Sequence, residues 1–255
     1  MALEIHPVPV LADNYVYLLR EGESGLVAAV DPSQARPVLD ALGRLGWRLT
    51  HILNTHHHWD HTGGNLELKE KTGARIVGPR ADEARIPGID VALGEGEEFQ
   101  FGAETAQIFD IPGHTRGHIA FYFPRAKALF SGDTLFSLGC GRLFEGTPEQ
   151  MWASLSKLKR LPGDTKIYCG HEYTANNARF ALTLEPDNPA LNERAAEVYV
   201  LRGEGRPTVP ALMENERRAN PFLRADAPGL RRALKMETAD PAEVFAEVRR
   251  RKDAF

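Results

Sequence analysis

The sequence is poor in cysteine and has no long apolar run. Two cysteines, Cys140 and Cys169, among 255 residues are too few for a disulfide framework, and their scarcity favours a reducing compartment. No stretch approaches the roughly 18 apolar residues that a membrane span needs. The first residues lack a basic region followed by an apolar run, so we expect no signal peptide. We therefore expect a cytoplasmic protein that is not embedded in a membrane.

An excess of basic charge is also missing. Lys and Arg number 31 against 35 Asp and Glu, giving a net charge of -4, so no overall positive field attracts nucleic acid or an anionic membrane surface. The hydrophobic share of 42% and the charged share of 26% are ordinary for a folded protein. The length allows one large domain, with or without a small appendage, and a monomer is our default expectation.

Short strands and helices alternate over the first two-thirds of the chain. "YVYLLRE" and "GLVAAVDP" predict two paired strands, and "QARPVLDALGRLGW" and "GGNLELKEKTG" predict helices that end near glycines. Further predicted strands are "LTHILNT", "ARIVGP", "AQIFDIPG", "IAFYFP", "KALFSGDTLF" and "TKIYCGHEY". "TPEQMWASLSKLKRLPG" predicts an amphipathic helix with Thr147 as its N-cap and Pro148 in the first turn.

The pattern changes after Tyr173, where strand-like runs nearly vanish. The remainder is rich in Ala, Glu and Arg with helical spacing, and it ends in "PAEVFAEVRRRKDAF", a predicted helix with a basic end. We therefore predict a first domain over residues 1–172 and a helical second domain over residues 173–255.

One short segment, "THHHWDHTGGN" at Thr55–Asn65, holds four of the nine histidines. In an extended segment His56 and His58 project to one side and His57 to the other, and Asp60 and His61 follow as the chain turns. Neutral imidazole and carboxylate are the usual ligands of zinc-like ions. The segment therefore indicates a metal site, although a histidine-rich solvated loop is an alternative for this string alone.

Three later strings place a lone polar residue after a predicted strand. "IPGHTRGH" contains His114, "LFSGDTLF" contains Asp133 and "IYCGHEY" contains His171. A polar residue at the end of a buried strand needs a partner, and a metal ion supplies one. Each of them alone is more often an ordinary turn residue. Four such strings on one predicted domain favour a metal centre.

The ordered set "THHHWDH", "PGHTRGH", "SGDTLF" and "GHEYT" is similar to that of the metallo-β-lactamase superfamily. "GCGRLFEGT", "GHEYTANNARFA" and "NPFLR" resemble one branch, glyoxalase II, the hydroxyacylglutathione hydrolases, and the resemblance covers nearly the whole chain. It implies an α/β fold: a four-layer αββα sandwich, with metals at one edge in loops after the strands. It also implies a C-terminal helical domain that helps to hold glutathione.

The resemblance also implies a site with two divalent metal ions. One ion is expected on His56, His58 and His114, the second on Asp60, His61 and His171, and Asp133 is expected to bridge them. Zinc is the expected metal, and iron or manganese also suits this ligand set.

The chemistry of such a site is carried by Asp60, His58 and Asp133. Two close cations lower the pKa of a bridging water, which attacks a thioester carbonyl, so no serine or cysteine nucleophile is needed. Cys140 and Cys169 are then small buried residues. His57 matches no ligand and is expected to have a packing or supporting role.

The implied substrate is a glutathione thioester, S-D-lactoylglutathione, whose hydrolysis is the second step of methylglyoxal detoxification. By resemblance its glutathione part contacts Arg142, Tyr173, Arg249 and Lys252. The basic end of the last helix is otherwise explained by the helix dipole. Arg142 stands where some members have lysine. Phe144 stands where some members have tyrosine, so we expect one hydrogen bond to glutathione to be absent here.

Three other functions stay open at this point. The first is a persulfide dioxygenase with one iron, which has the same H-x-H-x-D-H motif. The predicted helical region after Tyr173 and the segment "GHEYT" favour the hydrolase instead. A lactonase, β-lactamase or nuclease has the same fold, and the net charge argues against the nuclease. A binding protein without catalysis is the third, and its metal content would distinguish it.

Overall fold

The computed structural model describes residues 3–255 and contains two compact units. The first unit takes in the chain up to Asp110 together with Arg116–Gly132, and the second takes in Ile111–Thr115 and Asp133–Phe255. No helix within residues 3–255 combines the length and the apolar character that are needed to cross a membrane.

A six-stranded mixed sheet forms one half of the first unit. Its strands, in chain order and in sheet order, are β1 (Glu4–Val10), β2 (Asn14–Arg20), β3 (Val27–Val30), β4 (His51–Leu53), β5 (Arg75–Pro79) and β6 (Val91–Leu93). β1, β2 and β3 pair antiparallel, and β3 to β6 pair in parallel. The antiparallel register that sets Tyr17 opposite Val30 confirms the predicted pair of strands.

The sequence pattern did not predict strand β1. Pro7 and Pro9 lie inside it, opposite Tyr17 and Tyr15 of β2, and proline is a poor strand residue because it has no N–H to donate. The sheet order places β1 at an edge, where a proline can be accommodated with no loss of a ladder hydrogen bond to a second neighbour.

Helices cover this sheet on the way between its parallel strands. They are α1 (Ala35–Leu45), α2 (Trp59–Thr62), α3 (Asn65–Thr72) and a 3-10 helix (Arg80–Arg85). The buried face of α1, including Val38 and Leu42, joins a hydrophobic core that contains Ile52 of β4. α1 and α3 end at Gly46 and Gly73, both with positive φ. The prediction that both helices end near glycines is therefore confirmed.

Four antiparallel strands form the other half of the first unit: β7 (Glu98–Phe101), β8 (Glu104–Asp110), β9 (Ile119–Phe123) and β10 (Ala128–Gly132). Aromatic side chains fill the space between them and the first sheet. The ring centroids of Tyr17 and Phe130 are 5.7 Å apart, and those of His51 and Phe99 are 5.6 Å apart. The predicted strands in this region are confirmed.

The second unit is mainly helical, with two short strand pairs. The pairs are β11 (Leu135–Phe136) with β12 (Gly139–Cys140), and β13 (Lys166–Cys169) with β14 (Ala211–Leu212). The helices are α4 (Pro148–Leu158), α5 (Thr174–Leu184), α6 (Pro189–Gly203), α7 (Met213–Ala219), a 3-10 helix (Pro221–Leu223), α8 (Pro228–Leu234) and α9 (Pro241–Asp253). The predicted change to helix after Tyr173 is confirmed.

Two helices of this unit start with a capping box. Thr147 accepts a hydrogen bond from the backbone N of Gln150, whose side chain accepts one from the Thr147 N–H. Asp240 and Glu243 make the same reciprocal pair at the start of α9. Each cap stabilises its helix by about 1 kcal/mol. The predicted N-cap at Thr147 is confirmed, and the cap at Asp240 fixes the start of the helix with the basic end.

The carboxyl ends of two parallel strands bring polar residues together in the first unit. Asp31 directly follows β3, and Thr55 and His56 follow β4, the next strand in the sheet. Because parallel neighbours end at the same edge of a sheet, these side chains meet although Asp31 and His61 are 30 residues apart in sequence.

Candidate metal centre and substrate site

The first unit gathers His56, His58, Asp60 and His61 where the chain turns from β4 into α2. His56 Nε2 lies 3.2 Å from His58 Nδ1, and the rings of His56 and His61 have centroids 4.1 Å apart. Asp60 Oδ2 is 3.7 Å from His61 Nε2. His56 and His61 are buried. The expected convergence of the H-x-H-x-D-H side chains is therefore present in this unit.

A buried carboxylate that the sequence analysis did not single out supports this group. Asp31 Oδ1 accepts the Thr55 N–H at 2.8 Å, and its Oδ2 accepts the Thr55 hydroxyl at 2.7 Å and lies 3.1 Å from His61 Nδ1. Asp31, His56 and His61 also have possible ligand atoms within 4.8 Å of one another. Both Asp31 oxygens already accept hydrogen bonds, so we assign it the support of His61. With Nδ1–H donated to Asp31, His61 keeps Nε2 as a lone-pair donor.

Asn14 supports the second carboxylate of the group. Its side-chain N–H₂ donates to Asp60 Oδ2 and to the Asp60 carbonyl oxygen, both at 3.2 Å. Asn14 is buried at the start of β2. One Asp60 oxygen is therefore held in place by an amide from a strand 46 residues away in sequence.

His57 turns away from its neighbours, as the alternation of side chains predicts. Its Nδ1 lies 2.9 Å from Asp82 Oδ2, and its Nε2 lies 3.1 Å from an Arg85 guanidinium nitrogen. Arg85 also donates to the same aspartate. Because both ring nitrogens face partners on the 3-10 helix, His57 anchors the loop instead of offering a lone pair beside His56 and His58.

His118 is a fifth histidine at this place. Its ring stacks on that of His56 with centroids 4.6 Å apart and an interplanar angle of 14°. Gly132, with a positive φ, lies so close that a Cβ there would meet Thr55 and His118. His118 is the last residue of the string "HTRGH", whose position after a predicted strand indicates a role only for His114.

The second unit brings together the other three predicted donors. Asp133 Oδ2 lies 3.5 Å from His114 Nε2 and 3.2 Å from His171 Nε2, and all three residues are buried. His114 Nδ1 lies 2.8 Å from the Arg142 carbonyl oxygen. That hydrogen bond assigns the proton to Nδ1 and leaves Nε2 as the lone-pair donor facing the carboxylate.

A buried polar network holds the hairpin that follows Asp133. The Glu216 carboxylate accepts from the Ser137 hydroxyl at 2.8 Å and from the Leu138 N–H at 2.7 Å. Asn220 donates to the carbonyl oxygens of Phe136 and Gly139, both at 3.1 Å. These bonds fix Leu138 at a positive φ of 55°, which an unsupported leucine avoids.

Aromatic side chains flank the donors of the second unit. Tyr173 stacks on His171 with centroids 4.7 Å apart at 6°. Phe144, 64% exposed, meets His114 edge-on with centroids 5.2 Å apart. Tyr173, a predicted substrate contact, and Phe144, which lacks the hydroxyl of a tyrosine, are therefore both next to donor histidines.

The predicted carboxylate-binding cations differ in burial. Arg249 is 5% exposed, donates to the Cys140 carbonyl oxygen at 3.0 Å and pairs with Asp253 at 2.8 Å. Arg142 is largely exposed, 3.9 Å from Asp253. Lys252 donates to the Asn176 carbonyl oxygen at 3.2 Å. Burial, and then the nearby cations, lower the pKa of Lys252 to about 8.

The two cysteines are buried thiols. Burial raises the pKa of Cys140 to about 11 and that of Cys169 to about 12. Both thiols therefore stay protonated at neutral pH and are poor nucleophiles, in agreement with the expectation that they have a packing role.

Comparison with known proteins reveals the family. The family model for the metallo-β-lactamase superfamily matches residues 15–171, and the model for the C-terminus of hydroxyacylglutathione hydrolase matches residues 172–255. The chain is 60% identical over 253 residues to a hydroxyacylglutathione hydrolase of Methylococcus capsulatus and 56% identical over 253 residues to one of Rhodospirillum rubrum. Each alignment covers 99% of both chains.

The chain belongs to the hydroxyacylglutathione hydrolase family.

Solved structures agree on the fold of this family. ETHE1 from Myxococcus xanthus matches with a TM-score of 0.66 at 24% identity, over 96% of this chain and 99% of that one. TTHA1623 in a di-iron-bound form matches with a TM-score of 0.55 at 31% identity, over 65% of this chain and 91% of that one. The predicted metallo-β-lactamase fold, an α/β fold with a C-terminal helical region, is confirmed.

The donor chemistry of the family fold fits metal ions. The imidazole lone pairs assigned above and the carboxylates of Asp60 and Asp133 are borderline and hard donors of the kind that divalent zinc, iron and manganese accept. The fold together with these histidine and aspartate clusters suggests a dinuclear metal site.

Proposed function

We propose that the protein hydrolyses a 2-hydroxyacylglutathione thioester, S-D-lactoylglutathione, to glutathione and D-lactate, as the second step of methylglyoxal detoxification. The observation that carries this proposal is 60% identity over 253 residues to a hydroxyacylglutathione hydrolase, in a chain with every donor of the family motif. Water adds to the thioester carbonyl carbon, the C–S bond breaks, and the products are a thiol and a carboxylate with release of one proton.

The proposed metal ligands follow the family pattern. His56, His58 and His114 would hold one ion, Asp60, His61 and His171 would hold the second, and Asp133 would be a ligand shared by both. Zinc is the proposed metal, with iron or manganese as alternatives; a relative 31% identical to this chain is described as di-iron-bound. When bound, two divalent cations lower the pKa of water and polarise a carbonyl oxygen.

The residues of the chain prepare this chemistry. Asn14 holds Asp60 Oδ2, so the carboxylate is oriented to accept a hydrogen bond from the attacking water. Asp31 fixes the tautomer of His61. The Arg142 carbonyl oxygen fixes that of His114. Asp60, His58 and Asp133 are the proposed catalytic residues, and the buried, protonated cysteines leave water as the nucleophile.

The proposed glutathione site consists of Arg142, Tyr173, Arg249 and Lys252. Residues 1–172 form the proposed catalytic domain, and residues 173–255 form the proposed glutathione-binding domain. Phe144 has no hydroxyl, so the hydrogen bond that a tyrosine at this position would make to glutathione, worth about 1 kcal/mol, is absent from the proposed site. We further propose that the protein is a cytoplasmic monomer. Its partner is a small-molecule thioester substrate, and it binds neither nucleic acid nor membrane.

A persulfide dioxygenase and other hydrolases of this fold are the competing functions. The match of residues 172–255 to the hydroxyacylglutathione hydrolase C-terminus weighs against them. A binding protein without catalysis is disfavoured by the intact donors of both units.

The test is thioester hydrolysis by the purified, metal-replete protein. Loss of thioester and release of thiol are followed together for the parent, His58→Ala and a matched control, His6→Ala, which changes a partly exposed histidine on β1. We expect equal rates of thioester loss and thiol release, abolished only by His58→Ala. No turnover by a protein that holds two metal ions per chain would overturn the proposed function.

A further inference from the structure

Three of the four basic residues at the end of α9 have an acidic partner. Arg250 and Arg251 both pair with Glu247, at 2.8 and 2.7 Å, and Arg249 pairs with Asp253 at 2.8 Å. Lys252 instead donates to a backbone carbonyl oxygen and lies 5.2 Å from the centroid of the Phe180 ring. In the described chain, no carboxylate lies within ion-pair distance of Lys252.

A second cation without a carboxylate partner lies on α5. Arg179 is exposed, and its guanidinium donates to the side-chain oxygen of Asn176 at 3.1 Å. Within residues 3–255 no acidic side chain pairs with Arg179. Arg250, which is also exposed in the second unit, is by contrast paired with Glu247.

Asn176 joins the two cations. Its side-chain oxygen accepts from Arg179 at 3.1 Å, and its backbone oxygen accepts from Lys252 at 3.2 Å. An amide orients a cation but does not neutralise its charge. The two positive groups therefore repel each other, and Arg179 is one of the cations that lower the pKa of Lys252. A bound anion removes that repulsion.

The separation along α5 between Tyr173 and Arg179 is close to the length of a tripeptide. Tyr173 at the start of the helix stacks on the donor His171. Arg179 lies six residues further, which is about 9 Å at 1.5 Å per residue. An extended tripeptide spans about 10 Å.

We propose that Arg179 binds a carboxylate of the glutathione moiety and is a specificity-determining residue of this substrate site. The inference rests on the proposed function, which it deepens by adding a residue that the family resemblance did not supply. Glutathione has two carboxylates, one on the glycyl and one on the γ-glutamyl residue. Arg179 binds one of them together with Lys252.

The first experiment measures kcat and KM for S-D-lactoylglutathione with Arg179→Gln, Arg179→Lys and the control Arg250→Gln. The control removes an equal charge from an exposed arginine that already has Glu247 as an acidic partner. We expect Arg179→Gln to raise KM about fivefold to tenfold with kcat unchanged, and Arg179→Lys to restore part of the loss. Arg250→Gln should change KM less than about twofold. An unchanged KM in Arg179→Gln overturns the inference.

The second experiment identifies the carboxylate with two shortened substrates, the lactoyl thioesters of γ-glutamylcysteine and of N-acetylcysteinylglycine, whose acetyl group prevents transfer of the acyl group from sulfur to nitrogen. The KM ratio of Arg179→Gln to parent should fall to about one for the substrate that lacks the recognised carboxylate. A KM ratio that stays high with both shortened substrates means that Arg179 acts only through its long-range electrostatic field. This result would overturn the proposal that Arg179 binds a carboxylate of glutathione.

Calorimetric binding of S-methylglutathione separates this inference from the proposed function. If the parent binds the ligand and Arg179→Gln binds it about fivefold to tenfold more weakly, the assignment of Arg179 holds even when no thioester is hydrolysed. Equal binding by the parent and Arg179→Gln refutes the assignment while leaving the hydrolase activity intact.

Discussion

Replacing Asp31 with asparagine removes one negative charge from the support of His61 and changes little else. Asp31 has a φ of 51°, a left-handed conformation that asparagine tolerates better than most residues. The backbone strain is therefore nearly the same in Asp31→Asn, and the effect of the substitution reports on the carboxylate.

The magnitude follows from the three donors that Asp31 accepts: the Thr55 N–H, the Thr55 hydroxyl and the His61 ring N–H. An amide has one oxygen, so its N–H₂ must face at least one of these donors. A buried donor without an acceptor costs about 1–3 kcal/mol, and charge-assisted bonds are about twice as strong as neutral ones. We expect Asp31→Asn to lower the free energy of unfolding by about 2–4 kcal/mol. Since the substitution also loosens His61, metal affinity should fall about 10-fold to 100-fold.

The assay is urea unfolding of the metal-free protein, followed by competition with a chelator for the metal. Removing metal from all samples keeps its binding energy out of the stability comparison. The control is Asp40→Asn, which breaks an exposed pair with Arg36 on α1 and should cost no more than about 0.5 kcal/mol. A loss below about 1 kcal/mol in Asp31→Asn, with metal affinity unchanged within about twofold, would refute the assigned role.

Three further substitutions or conditions test the site. His57→Ala should keep both metal ions by elemental analysis and lower the unfolding free energy by about 1–2 kcal/mol, because it removes the contacts to Asp82 and Arg85 of the 3-10 helix. Loss of a metal ion would contradict the orientation of this ring. The KM for the glutathione thioester should rise as pH increases through about 8. The pKa of Lys252 is lowered to about 8, and a lysine loses its positive charge above its pKa. A KM that stays constant from about pH 7 to 9 would exclude a role for Lys252 in substrate binding. Gly63→Ala places a Cβ 2.6 Å from the Ser33 carbonyl oxygen and should cost about 1–3 kcal/mol in thermal or urea unfolding, whereas Gly43→Ala, with open space around it, should be neutral or stabilising.

Local patterns predicted much of the fold because they depend on neighbours in sequence. The glycine stops after α1 and α3 and the cap at Thr147 follow from backbone groups within one helical turn. The alternation of His56, His57 and His58 similarly follows from the geometry of an extended segment. Strand β1 was missed because its prolines are acceptable only at a sheet edge, and its edge position depends on strand order.

The supporting residues were harder to predict because their partners are distant in sequence. Asn14 is 46 residues from Asp60, and Arg249 is 109 residues from Cys140. No periodicity or spacing connects such pairs, and a lone asparagine after a turn resembles any other turn residue. His118 stood in a recognised string, yet its stacking on His56 depends on how strand β9 lies in the fold.

The sequence by itself determined which atoms are available for metal and carboxylate binding, because donor type is a property of the side chain and strand ends can be read from local hydrophobic runs. Only the tertiary structure decided which ring nitrogen keeps its lone pair, which carboxylate supports a histidine, and which cations remain without an acidic partner. Those outcomes depend on hydrogen bonds and charges a few ångströms apart, between residues that only the folded chain brings together.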